Sequence, residues 1–259
     1  MMKGFRIDRN DGRIYAMGVH FSFPSKGETC AVILYRKGAK SPKGRIEFPV
    51  NARTGDVWGM TVLGDFSGLE YVYEVDGQQM PDPYGRKFTG MERWGSLARR
   101  DKPVRTPVDT EGGAYDWEDD ILPCIPYDQC VIYHIHTRGI TKHASSGLEG
   151  DSRGTFKGVA EKIPYLKDLG ITTVEMMPPV EFEELIIPER VDGSPFAAEE
   201  PDGKLNYWGY TRGYYFAPKC AYSSGPVREP EREFKDMVKA LHRAGLELVL
   251  ELFFDGKEA

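Results

Sequence analysis

Val131-Ile132-Tyr133-His134-Ile135-His136, Thr172-Thr173-Val174-Glu175-Met176-Met177 and the nearly continuous apolar run from Leu246 to Phe254 decide the fold. Each reads as a buried strand. Between the first two, Phe156, Val159, Ile163, Leu166 and Leu169 are spaced as one helix face, and Gly170 stops it. Between the second and third, Phe234, Met237, Val238 and Leu241 form another helical stripe, closed by Gly245. Strands joined by helices imply parallel pairing with right-handed crossovers. In such sheets the chemistry gathers beyond the carboxyl ends of the strands.

Upstream the grammar is different. Gly18-Val19-His20-Phe21-Ser22-Phe23, Ala31-Val32-Ile33-Leu34-Tyr35, Trp58-Gly59-Met60-Thr61-Val62 and Tyr71-Val72-Tyr73-Glu74-Val75 read as short strands. Asn10-Asp11-Gly12, Pro24-Ser25-Lys26-Gly27, Thr54-Gly55-Asp56 and Asp76-Gly77 separate them as turns. This spacing predicts a β-sandwich over residues 1–90, of immunoglobulin-like type. From Met80 to Tyr127 periodicity fades among prolines, glycines and charges, and Asp116, Glu118, Asp119 and Asp120 cluster. The whole stretch therefore reads as an extended linker on the surface, with residues 91–128 as the linker proper between the two domains. Residues 129–259 carry the strand–helix alternation.

Composition narrows the function classes. Among 259 residues, 40% are hydrophobic and 12% aromatic, enough for a sizeable core. The net charge of -6 argues against a nucleic-acid binder, which is usually basic. No apolar run reaches the roughly 18 residues of a membrane span, and the start shows no secretory pattern. Cys30, Cys124, Cys130 and Cys220 are scattered, without zinc-ligand spacing. Reduced thiols in a cytoplasmic protein are the expectation.

Several residues invite chemistry. The excursion from Pro179 to Glu229 leaves the second strand's carboxyl end and is dense in Tyr207, Trp208, Tyr210, Tyr214, Tyr215, Phe216 and Tyr222. Sugars stack their C–H faces on aromatic rings, so such a loop suits a carbohydrate; on composition alone, rings that pack the loop onto a rim are the commoner case. Glycoside cleavage takes two carboxylates. Glu251 and Asp255 lie on or just after the third strand, whereas Glu181, Glu183 and Glu184 read as a solvated acidic face. His134 and His136 are two apart, on one side of a strand, and lack an evident third metal ligand, so they read as core or rim histidines. Arg138 fits either a substrate contact or a rim salt bridge. No phosphate-binding glycine loop and no Gly-x-Ser-x-Gly elbow occur, and no cofactor or metal is expected.

Together these motifs resemble a family. Val131 to Thr141 resembles the first barrel strand of isoamylase-type glycogen debranching enzymes, in the α-amylase superfamily (glycoside hydrolase family 13). Gly154-Thr155-Phe156-Lys157-Gly158 through Gly170 looks like their first helix, and Val174-Glu175-Met176-Met177-Pro178 like their second strand. Asn206-Tyr207-Trp208-Gly209-Tyr210, followed by Tyr215-Phe216-Ala217-Pro218, is the most specific piece. Trp58, Tyr71-Val72-Tyr73, Asp76-Gly77 and Asp82-Pro83-Tyr84 resemble the glycan-binding β-sandwich that precedes these barrels.

The resemblance implies the first part of a (β/α)8 TIM barrel after a sandwich. It implies α-glucan partners such as glycogen or starch-like oligosaccharides, and a retaining mechanism with an aspartate nucleophile and a glutamate acid/base from strands four and five. Residues 129–259 amount to about half of the roughly 250 a complete barrel takes. They are expected to stop at strand three, so no catalytic residue can be carried over and the chain is expected to be inactive alone. Tyr210 matches the family's tyrosine that stacks on the sugar, and Trp208 is expected to support the loop. The family usually ends strand three with aspartate, two apolar residues, an aromatic, asparagine and histidine; here stand Glu251-Leu252-Phe253-Phe254-Asp255-Gly256. Gly256 loses the sugar contact that the histidine would make. Tyr210, Trp208, Glu251 and Asp255 are the expected substrate-binding set. Alternatives are a non-catalytic glucan-binding or scaffold protein and part of a branching enzyme or pullulanase. An open barrel edge predicts self-association.

Overall fold

The alternation upstream of Gly90 folds as two antiparallel sheets around a shared core. The computed structural model describes residues 4–5, 18–96, 103–109, 114–185 and 205–254. The chain divides into two units, Met1–Gly90 with Val104–Tyr115, and Met91–Pro103 with Asp116–Ala259. The first holds β1 (Gly4–Phe5), β2 (Gly18–Pro24), β3 (Cys30–Arg36), β4 (Gly44–Glu47), β5 (Arg53–Thr54), β6 (Val57–Leu63), β7 (Leu69–Val75), β8 (Gln78–Met80) and β9 (Thr106–Pro107). One sheet runs β1-β2-β6-β5 and the other β4-β3-β7-β8, with β9 also on β7.

Register puts the large side chains between the sheets. Val19, Phe21 and Phe23 from β2 meet Val32 and Leu34 from β3 and Tyr71 and Tyr73 from β7. Phe23 stacks on Tyr73 at 3.9 Å and Phe21 meets Tyr71 edge-on at 5.2 Å. Such pairs add about 0.5–1.5 kcal/mol each beyond their buried area. The Asp76-Gly77 signal is the β7–β8 turn, with positive φ at both residues (47° and 81°). The Asp76 carboxylate accepts from the backbone N–H groups of Glu28 and Thr29, which holds its pKa below the usual range.

The stretch expected to lie on the surface is in part buried. Asp82, Phe88, Arg105, Thr106 and Val108 are buried in the first unit, and Met91 in the second. The Arg105 guanidinium sits 3.5 Å from the Tyr35 ring and donates to Ala39 O at 2.7 Å. Tyr71 Oη donates to Asp82 Oδ2 at 2.5 Å. Residues pinned one at a time leave no period in a sequence, so the burial was invisible there.

The second unit holds β10 (Ile132–Ile135), α1 (Thr137–Thr141), α2 (Phe156–Glu161), α3 (Ile163–Asp168), β11 (Thr173–Met176), β12 (Val180–Phe182), β13 (Gly213–Pro218), α4 (Pro230–Arg243) and β14 (Glu247–Leu250). The strands β10, β11 and β14 pair in parallel with β11 central, from Ile132↔Thr173↔Glu247 onward. Ile135, Val174 and Met176 pack on Phe156, Val159, Leu166, Met237 and Leu241. Alternation sends His134, Glu175 and Val249, which share one register row, to the other face.

Two expectations need correction. The single helix through Leu169 is two helices, because Pro164 has no N–H to continue the ladder; Lys162 caps α2 and begins α3. Leu169 is exposed rather than on the buried face. The third strand spans Glu247–Leu250 only, and Val249, Leu250, Phe253 and Phe254 are exposed at this edge.

Candidate functional site

The excursion after Pro179 is built on a buried lysine. β12 pairs antiparallel with β13, and Lys219 follows immediately. Its side chain is fully buried, with Nζ 2.8 Å from Glu181 Oε1, Glu184 Oε2 and Phe182 O. All three ammonium protons thus have acceptors. Glu181 Oε2 accepts from the Cys220 N–H at 2.7 Å, and Glu184 Oε1 from the Gly95 N–H at 3.1 Å. Phe182 and Trp94 rings lie 4.0 and 5.3 Å from the ammonium. The expectation that Glu181 and Glu184 are solvated is therefore wrong: they are the two buried partners of Lys219. Burial pushes the Glu181 carboxyl up, against the pull of Lys219. Nothing local marks Lys219, since a lysine after Ala217-Pro218 looks like a surface residue.

This anchor carries the aromatic loop. Asn206 Oδ1 accepts from the Gly209 N–H at 3.1 Å. Gly209 has φ +80°, and a Cβ there would lie 2.7 Å from the Phe182 ring, so glycine is required. Tyr207 lies against the His136 ring at 4.3 Å, and Trp208 meets His136 and Tyr207 edge-on at 5.8 and 5.1 Å. Trp208 is nevertheless 53% exposed.

Tyr210 takes a different position. Its ring is 42% exposed, edge-on to Phe253 at 6.3 Å. Its Oη donates to Glu251 Oε2 at 3.2 Å, and His134 Nε2 lies 2.8 Å from the same oxygen. Tyr215 Oη donates to Phe253 O at 2.8 Å. The structure thus brings Tyr210 and Glu251 together just beyond the carboxyl end of β14 and seats Trp208 on His136 instead. Asp255 lies outside the described residues.

His136 is a core histidine, as expected, whereas Arg138 packs on an aromatic ring rather than in a rim salt bridge. His136 caps α1, its Nδ1 accepting from the Gly139 N–H at 3.1 Å. The neutral ring therefore carries its proton on Nε2, 3.0 Å from Tyr222 Oη. Burial lowers the His136 pKa to about 4. The Arg138 guanidinium lies 4.7 Å from the Trp94 ring, with no carboxylate at ion-pair distance among the described residues. Burial lowers its pKa too. Among the described residues no three His, Cys, Asp or Glu side chains gather as a metal site.

The chain is similar to Isoamylase 3, chloroplastic, of Oryza sativa subsp. japonica, with 31% identity over 264 residues, covering 92% of this chain and 33% of that protein. Isoamylase 1, chloroplastic, of Arabidopsis thaliana is 31% identical, covering 91% and 32%. The glycogen debranching enzyme of Salmonella paratyphi B is 32% identical, covering 91% and 37%. The chain spans about a third of the length of these relatives. Among solved structures, apo pullulanase from Paenibacillus barengoltzii superposes with a TM-score of 0.67 at 24% identity, over 91% of this chain and 36% of that one. A point mutant of that pullulanase complexed with maltotetraose gives 0.67 at 25% identity, over 90% and 36%. No family model matches the chain.

The buried lysine and the buried histidine each give an expected outcome. Lys219→Met strands two carboxylates and is expected to cost about 3–5 kcal/mol in urea unfolding, partly restored by adding Glu181→Gln and Glu184→Gln. An unchanged midpoint would show that the lysine does not hold the excursion. For His136, the unfolded chain binds the proton near pH 6.5 and the folded one near 4. Stability should therefore fall as pH is lowered through that window, and the group contributes nothing above it. Between pH 7 and 4.5 the wild type should lose about 2 kcal/mol more than His136→Asn, which keeps a cap acceptor; parallel losses would refute the assignment.

Proposed function

We propose that the chain, similar to isoamylases and glycogen debranching enzymes, is a part of an α-glucan debranching glycoside hydrolase of the α-amylase superfamily that binds glucan at the Tyr210 face. The observation that carries this is the placement of Tyr210. An exposed ring stands beyond the carboxyl ends of parallel strands, its hydroxyl held by a carboxylate, in a chain whose relatives are isoamylases and debranching enzymes. A glucose ring would stack on Tyr210, with Glu251 and Asp255 offering acceptors to its hydroxyls and Trp208 bounding the loop. We take residues 1–90 as an immunoglobulin-like β-sandwich that binds glycan, 91–128 as the connecting stretch, and 129–259 as the first three strands of an α-amylase-type barrel.

Catalysis is a separate matter from binding. The family resemblance implies that the two reacting carboxylates come from strands four and five, while the described parallel strands are β10, β11 and β14. The 259 residues alone are therefore expected to bind glucan without hydrolysing it. Glu251 in place of aspartate and Gly256 in place of histidine favour, as a second reading, a glucan-binding protein without catalysis. The exposed Val249, Leu250, Phe253 and Phe254 at the β14 edge favour self-association of this chain.

Affinity electrophoresis in glycogen and a reducing-sugar assay test both parts. The wild-type chain should be retarded by glycogen, Tyr210→Ala should lose most of that retardation, and neither should release reducing ends. Reducing ends from the purified chain would contradict the expected inactivity, and equal migration with and without glycogen would contradict the binding.

A further inference from the structure

Glu251 Oε2 receives two donors from distant parts of the chain. Tyr210 reaches it from the aromatic loop, and His134 from β10. The β10 and β14 strands are not neighbours: β11 lies between them, so the two side chains close a gap of roughly 10 Å. A carboxylate oxygen only accepts, so the His134 Nε2 bears the proton directed at it. The Glu251 backbone is fixed in turn, its N–H donating to Met176 O at 2.9 Å. Among the described residues, Tyr210 itself is held by an edge contact with Phe253 and this one hydrogen bond.

We infer that His134 is a positioning residue: through Glu251 it holds the Tyr210 ring in the orientation that receives a glucose unit. The inference rests on the glucan reading above and names the device that serves it. An exposed tyrosine left to rotate must be immobilised when a ligand binds, and a preset ring avoids that cost. The length of Glu251 matters here. Aspartate at this position would be shorter by one methylene, about 1.5 Å, and could not meet donors from both β10 and the loop.

Two measurements test this: calorimetric titration with maltohexaose, and fluorine NMR of protein labelled with 3-fluorotyrosine. The Tyr210 signal is the one that disappears in Tyr210→Phe. His134→Leu and Glu251→Asp should each weaken maltohexaose binding three- to tenfold and displace the Tyr210 signal without ligand. His134→Gln keeps a donor near the Nε2 position and should bind within twofold of wild type, which separates positioning from a general folding defect. In a Tyr210→Phe background, His134→Leu should add no further loss. An unmoved Tyr210 signal and unchanged affinity in His134→Leu would overturn the inference, as would a fully additive loss in the double variant. A wild type that ignores maltohexaose while the signal still moves in His134→Leu would support the tether and overturn the glucan reading.

Discussion

A single buried ammonium holds the hairpin of the candidate site together. Lys219 has no exposed surface and gives its three protons to Glu181, Glu184 and the Phe182 carbonyl. Through these it joins the end of β13 to β12, and through Glu184 to the Gly95 N–H. A buried charge is costly unless fully paired, so this cluster tolerates few alternative arrangements. The aromatic loop leaves from the same hairpin, with Gly209 pressed against Phe182. The position of Tyr210 therefore descends from a charge cluster that no sugar would touch.

Much of the frame was legible in the residues. The β2, β3, β6 and β7 strands fall where alternation and turn signals put them, and Gly245 ends α4 with φ +75°. The three parallel strands emerge from apolar runs between helical stripes. What stayed hidden has a common cause: pairings between distant residues leave no local period. Lys219 with Glu181 and Glu184, and Arg105 with Tyr35 and Ala39, are of this kind. Pro164, by contrast, is a local signal, and its missing N–H divides the helix. At the candidate site, Tyr210 and Glu251 were named from the sequence and stand together in space. Their link to His134 was not, because two side chains on non-adjacent strands meet only once the sheet order is known.

The departures at the third strand gain a physical meaning. Where the family usually carries aspartate, Glu251 is longer and spans to His134 while accepting from Tyr210. The change thus suits a local network rather than a simple loss. His136, two residues on, belongs to a different system, buried and neutral against Tyr222 at the start of α1. The two histidines that look like a pair in sequence divide the labour, one facing the proposed glucan and one fixing the scaffold.

The proposed function requires glucan to stack on Tyr210 at the carboxyl ends of the parallel strands. Crystal structure determination of this chain soaked with maltohexaose tests it most directly. The expected result is a glucose ring parallel to the Tyr210 ring at van der Waals distance, with a sugar hydroxyl within hydrogen-bond reach of Glu251. Saccharide bound only elsewhere, with Tyr210 bare in the same crystals, would contradict it.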